Sequence, residues 1–210
     1  MMSELEHEQK ELKEASLELE RIIFFSDAVI AIAITLLAVQ IVLPVNLNAE
    51  DVPQAIINMI PQMAAYTLSF LIIGNYWVIH HRVFRNIRHY DTRLIWLNIL
   101  FLLFMAFLPV PSNVIGRFPT EPAAIIFFDI CLMLTGLTQA AIWLHASHDY
   151  HLIPRSLSPA LIRWGTIRSL IPPGVMVISI ILAFFDPLVA LLSWVLIWVE
   201  FAVWNRFFPR

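Results

Sequence analysis

The 210-residue chain has few charged residues, few glycines and a single cysteine. Asp, Glu, Lys and Arg make up 14% of it, whereas an average soluble domain contains roughly 25%. With 60% hydrophobic residues, the chain has too little charge to cover a surface in water, so we expect the bilayer to be its solvent. The lone Cys131 excludes an intrachain disulfide, and five glycines form no glycine-rich phosphate loop.

Six apolar segments follow an acidic N-terminal region. A spanning helix needs about 20 apolar residues, so the chain suffices for six spans with short loops. The sequence predicts an all-α, polytopic membrane protein with a cytoplasmic amphipathic segment over 1–20 and a six-helix transmembrane domain over 21–210. The predicted spans are 22–43, 55–79, 94–115, 123–144, 170–185 and 188–204.

The basic residues predict how these spans are oriented. Of the 13 Lys and Arg residues, all except Arg117 lie before span one, between spans two and three, between spans four and five, or after span six. Because cytoplasmic loops are enriched in Lys and Arg, this distribution places both termini in the cytoplasm.

The first span carries a stripe of branched aliphatic side chains. At 100° per residue, Ile32, Leu36, Val39 and Leu43 lie on one side of a helix, and Thr35 lies beside them. Ordinary helix packing produces the same periodicity, so the stripe alone does not indicate a pore.

Polar residues in the spans are further candidates for function, because an ionisable side chain in the membrane has to face protein or water. Asp27 lies about 140° from the stripe, and Ser26 lies about 120° from it on the other side. Both also fit a purely structural hydrogen-bond anchor. Arg21 is expected to snorkel or form an ion pair at the cytoplasmic mouth. Asp129 and Glu200 are intramembrane acids with no assigned role.

Two histidines end the second predicted span at the depth of Asp27. We hypothesise that His80 or His81 joins Asp27, Ser26 and Trp77 in a network that fixes span one against its own subunit. A proton-sensing role stays open, because histidine titrates near pH 6.5.

Three more histidines have a spacing that metal ligands also show. His145, His148 and His151 recur every third residue, with Asp149 among them. Because the stretch follows span four and precedes Pro154, we predict a solvated loop and no metal site.

Three stretches together resemble a known family. Arg21, Phe25, Ser26 and Asp27 form the pattern Arg-x-x-x-Phe-Ser-Asp, followed by Ala-Val-x-Ala-Ile-x-Ile-Thr-Leu-Leu. The second stretch, 77–84, includes Trp-Val-Ile-His-His-Arg, and the third, 104–112, ends in Pro-Val-Pro-Ser. In order and spacing these stretches resemble the lysosomal potassium channel family, also called transmembrane protein 175, in its prokaryotic branch.

The resemblance implies a homotetramer whose first helix lines a central pore. By offset from the motif, Ile32, Leu36 and Val39 form apolar rings that act as filter and gate, and Thr35 offers a hydroxyl near Ile32. The implied function is a K⁺ channel with modest preference over Na⁺, also passing Rb⁺ and Cs⁺. The implied location is a prokaryotic plasma membrane. No cofactor and no nucleic acid are implied. The signature and network residues are Arg21, Phe25, Ser26, Asp27, Trp77, His80 and His81.

Two other functions stay open at this stage. A proton- or metal-coupled transporter would use Asp27, His80 and His81, with Glu200 as a further candidate. Many transporters have internal repeats, and none is evident here. An intramembrane hydrolase would use Ser26, Asp27 and a histidine. However, Ser26 and Asp27 face different directions and lack oxyanion-hole glycines, so we predict that the chain is not an enzyme.

Overall fold

The computed structural model describes the backbone of residues 2–197 and the side chains of residues 17–197. Every regular element in this range is helical, which confirms the all-α class. The elements are α1 (Met2–Val39), α2 (Val52–Asn58), α3 (Ile60–Asn86), α4 (Thr92–Phe107), α5 (Pro109–Arg117), α6 (Pro122–Ser147), α7 (Pro159–Ala183) and α8 (Pro187–Ser193), with single 3₁₀ turns at Ala49–Asp51 and His148–Tyr150.

Four stretches of the described chain are long and apolar enough to cross a bilayer: Leu17–Val39, Thr92–Arg117, Pro122–Tyr150 and Pro159–Ala183. Helices α2 and α3 form a bent pair with 44° between its halves. If this pair is one span, the number of candidate spans in the described chain rises to five. The short apolar helix Pro187–Ile197 covers only the start of the sixth predicted span. The rest of that span, with Glu200, lies outside the described residues.

Helix α1 is one continuous helix from the acidic N-terminal segment to Val39. It ends before Leu43, so Leu43 does not continue the helical stripe as predicted. The physical reason is Pro44, which disfavours the α conformation of the preceding residue and cannot donate a backbone hydrogen bond.

Two helices extend beyond the predicted apolar spans. Helix α3 continues to Asn86, so His80 and His81 lie inside it. Helix α7 begins at Pro159, where the Ser158 side chain accepts the backbone N–H of Leu161, and it continues through Pro172 and Pro173. In both cases an arginine-containing segment that looks like a loop by hydropathy is helical, because a helix can extend past its apolar portion with its polar side chains in water.

The centre of the described bundle is α6, which contacts α4, α5, α7 and α8. Its side chains Ile125, Phe128 and Leu132 are fully buried in the core. Helix α1 packs against α3, α4 and α5 along one side only. It therefore lies at the edge of the described bundle, with a long face that the described residues leave uncovered.

Candidate pore helix and its anchor

The two sides of α1 have opposite environments. Ile30, Ala33 and Leu37 are buried against the rest of the chain. On the opposite side, Ile32 is 58% exposed and Val39 is 71% exposed. These exposures follow the helical period, so the aliphatic stripe faces away from the rest of the described chain.

Leu36 and Thr35 complete the exposed side. The Thr35 hydroxyl donates a hydrogen bond to the carbonyl oxygen of Ile32 over 2.8 Å. Because its proton is used within the helix, the Thr35 oxygen has its remaining lone pairs free to face outward. This face therefore offers one acceptor oxygen among apolar side chains.

A buried polar chain holds the opposite side of α1. Ser26 is fully buried, and its hydroxyl accepts a hydrogen bond from the Asn98 amide over 2.9 Å. The Asn98 carbonyl oxygen lies 2.9 Å from Nε2 of His80, which is also buried. The Ser26 hydroxyl donates in turn to the carbonyl oxygen of Ile22 at 2.8 Å. Helices α1, α4 and α3 are thus joined through one asparagine.

Asp27 makes a separate contact to α3. Its Oδ1 accepts a hydrogen bond from the indole Nε1 of Trp77 over 2.8 Å. The ring of His81 stacks on Trp77 at a centroid distance of 5.8 Å. The hypothesised network therefore consists of two branches, one from Asp27 to Trp77 and one from Ser26 through Asn98 to His80.

Asn98 was not among the predicted site residues. It lies on α4 within the apolar run Leu-Ile-Trp-Leu-Asn-Ile-Leu, where its apolar neighbours outweigh it in an averaged hydropathy profile. A polar amide within a span is itself a signal, because such a group has to find a partner inside the protein. His80 stacks between Phe84 and Phe101, at centroid distances of 4.3 Å and 5.1 Å, which fixes its ring plane.

Two residues of the sequence motif lie outside this anchor. Arg21 is exposed and forms an ion pair with Glu18 one turn earlier, at 2.9 Å. Phe25 is also exposed, on the same side of α1 as the stripe. Asp129 is buried on α6, far along the chain from the anchor, with Ser179 and Trp194 as polar neighbours of its carboxyl group.

The histidines of the 145–151 stretch do not form the arrangement that their spacing suggested. His145 lies in the last turn of α6 and not in a loop, because α6 continues to Ser147. His148 is exposed, lies 3.2 Å from exposed Asp149 and is not part of the cluster around Asp91. His145 and His151 instead converge on Asp91, the residue that caps α4.

Asp91 is held in its ionised form by these neighbours. Partial burial by itself raises the pKa of Asp91, but hydrogen bonds from the Leu94 N–H and from His145 and His151 outweigh this effect. The net result is a pKa of Asp91 below its usual value, so the carboxylate is charged at neutral pH.

The sequence comparisons identify the family. The family model for the endosomal/lysosomal potassium channel TMEM175 matches residues 21–109, which include α1 from Arg21 onward and all of α2, α3 and α4. A potassium channel of Streptomyces collinus is 35% identical over 145 residues, which cover 67% of this chain and 70% of that protein. This chain belongs to the TMEM175 family.

Relatives within the TMEM175 family extend the similarity to fold. The human endosomal/lysosomal proton channel TMEM175 is 31% identical over 154 residues, which cover 69% of this chain but 30% of that longer protein. The crystal structure of a lysosomal potassium-selective channel TMEM175 homolog from Chamaesiphon minutus superimposes with a TM-score of 0.76 at 25% identity. That match covers 89% of this chain and 97% of the other, so the helical arrangement is that of a TMEM175 channel.

Proposed function

We propose that four copies of this chain form a potassium-permeable channel in a prokaryotic plasma membrane, with α1 of each copy lining the central pore. Each chain would cross the bilayer six times, with residues 1–20 and the C-terminus in the cytoplasm. Membership of the TMEM175 family and the potassium-channel name of the Streptomyces relative support K⁺ as the permeant ion.

The observation that carries this proposal is the division of α1 into two sides. The Ser26–Asn98–His80 chain and the Asp27–Trp77 contact fix one side to the subunit. The other side presents apolar side chains and the Thr35 oxygen. Symmetric copies brought together along this side would form stacked rings at Ile32, Leu36 and Val39.

Such rings would select by the cost of dehydration. A ring of Ile32 side chains supplies no ligand to replace water, so an ion sheds hydration at its own expense. K⁺ holds its water less tightly than Na⁺, so K⁺ passes more readily, and Rb⁺ and Cs⁺ should follow. The preference should be modest, and a narrow apolar ring can also close the pore by excluding water. Oxygens at Thr35 would ease the entry of a partly dehydrated ion.

The deciding experiment compares Ile32→Asn with the wild type in reconstituted bilayers under K⁺/Na⁺ gradients. The variant should conduct more and discriminate less, because the amide supplies ligands at the barrier. Leu103→Asn is the matched control, since Leu103 on α4 has a similar exposure of 61% but does not lie on the stripe. Equal permeability ratios in the wild type and Ile32→Asn would rule out Ile32 as the filter.

Proton permeation is the second candidate function, because the human relative is named a proton channel. It is separated from K⁺ permeation by following the pH inside liposomes in K⁺-free buffer. The bilayer recordings described above also test the coupled transporter, a function that membership of a channel family disfavours. Single-channel currents far above carrier turnover would exclude a carrier.

A further inference from the structure

Two linkers on the predicted cytoplasmic side form a joined structure. The linker between α3 and α4 packs against the segment that follows α6. The backbone N–H of Arg88 donates to the carbonyl oxygen of Leu152 over 2.8 Å, and the N–H of Leu152 donates to Ala146 over 3.0 Å. Leu152 and Ile153 are buried beneath this junction. The junction therefore holds its side chains in defined positions.

Three potential metal ligands meet at this junction. Nε2 of His145 lies 2.8 Å from Oδ2 of Asp91, and Nε2 of His151 lies 3.1 Å from the same oxygen. One ligand atom from each of the three residues lies within 4.8 Å of the other two. His145 and the Asp91 carboxylate are partly buried, whereas His151 is 55% exposed.

Asp91 is fixed independently of the histidines. Its other oxygen, Oδ1, accepts the backbone N–H of Leu94 over 2.7 Å and so caps the first turn of α4. His145 is fixed by the last turn of α6. Two of the three ligands thus come from the ends of rigid helices.

We propose that Asp91, His145 and His151 bind a zinc-like divalent transition-metal ion that clamps the start of α4 to the end of α6. Two imidazole nitrogens and one carboxylate oxygen are a ligand set that Zn²⁺ prefers, with water in the fourth position. The exposed side of His151 gives that water access.

The distances suit this ion. Ligands at 2.0–2.2 Å from a tetrahedral metal are about 3.3 Å apart. The two histidine–carboxylate distances, 2.8 and 3.1 Å, are already close to that value. The third pair, at no more than 4.8 Å, needs a movement of at most about 1.5 Å by the exposed His151 ring.

Binding changes the positions of protons at the site. Without metal, each histidine Nε2 faces a carboxylate oxygen and therefore carries the hydrogen of that bond. With metal, both Nε2 lone pairs and Oδ2 become ligands. The single hydrogen of each neutral imidazole moves from Nε2 to Nδ1 through water, so no net proton is gained or lost. No oxidant or reductant takes part.

The clamp is linked to the pore helix through α4. Asn98 lies seven residues after Asp91, about 10 Å along the helix, and it donates to Ser26 of α1. A metal at Asp91 would thus hold the helix that carries the anchor. The binding itself does not depend on ion conduction, so purified protein tests it whether or not the proposed channel function holds.

The test is calorimetric titration of Zn²⁺ into tag-free, full-length protein in detergent, with thermal unfolding recorded in parallel. The wild type should bind one ion per chain at this site and melt at a higher temperature. Asp91→Asn and His151→Ala should each weaken binding about 10-fold or more and lose the shift in melting temperature. Asparagine still caps α4, so Asp91→Asn keeps the fold.

His148→Ala is the matched control, because His148 is exposed, lies in the same stretch and does not contact Asp91. It should bind Zn²⁺ like the wild type. Mg²⁺, which prefers oxygen ligands, should give no comparable response. Absence of Zn²⁺ binding by the wild type, or equal affinity in the wild type, Asp91→Asn and His151→Ala, would overturn the proposal.

Discussion

The two sides of α1 differ in whether other helices of the chain cover them. The side with Ser26 and Ile30, here called the closed side, is covered within one chain by hydrogen bonds and packing from α3 and α4. The side with Ile32, Leu36 and Val39, here called the open side, is not covered by the described residues of that chain. Polar residues on the closed side make specific pairs, whereas the open side pairs with no other element among the described residues.

This difference indicates that α1 is positioned by one side; under the proposed function, the other side lines the pore. Apolar packing in a bilayer gives little directional preference, because lipid tails are as apolar as leucine. A buried polar pair does give direction, because a polar group without a partner in hydrocarbon is costly. The rotation of α1 about its own axis is therefore set by Ser26 and Asp27, and the orientation of the stripe follows.

The largest loss of stability should come from replacing Asn98, which lies at the centre of the contacts on the closed side. Asn98→Leu keeps the same number and branching of side-chain heavy atoms but leaves His80 and the Ser26 hydroxyl without their shared partner. We expect a loss of about 1–3 kcal/mol in the free energy of unfolding. Thermal unfolding in detergent, compared with Ile99→Ala on the exposed side of α4, measures it.

Ile99→Ala should change stability by at most about 0.5 kcal/mol, as exposed substitutions usually do. If Asn98→Leu were as stable as this control, the asparagine would not anchor α1. The two sides would then differ only in burial.

A smaller effect is expected at the edge of the closed side. Trp77→Phe keeps an aromatic ring near His81 but removes the indole N–H that binds Asp27. Hydrogen bonds within membranes average about 0.6 kcal/mol, so we expect a loss of that order. Chemical cross-linking of the detergent-solubilised protein reports whether oligomers weaken as well. No change in stability would assign the anchoring to Ser26 alone.

The sequence predicted the sides of α1 because they depend only on the helical period. Ser26, Ile32 and Val39 were assigned to opposite sides without knowledge of any neighbour, and their burial follows that assignment. The family could also be predicted from the sequence, since its motifs lie within one helix and at two span ends.

The contacts between residues on different helices could not be predicted from the sequence in the same way. Asn98 meets Ser26 from 72 residues away, and the crossing of α4 over α1 that brings them together is set by tertiary packing. Likewise, Asp91 meets His145 and His151 because two linkers lie side by side. The regular histidine spacing suggested His148 instead, because spacing within one segment carries no information about another segment.

The smallest effect on stability should come from the open side. Val39→Leu adds one methylene where the side chain is 71% exposed, so the free energy of unfolding should change by at most about 0.5 kcal/mol. If Val39 forms a ring around the pore, the larger side chain narrows it, and the single-channel K⁺ conductance should fall a few-fold. Leu103→Val, on the exposed side of α4, should alter neither quantity. An unchanged conductance in Val39→Leu would confine the constriction to Ile32 and Leu36, because those rings would then be narrow enough to set the flux alone.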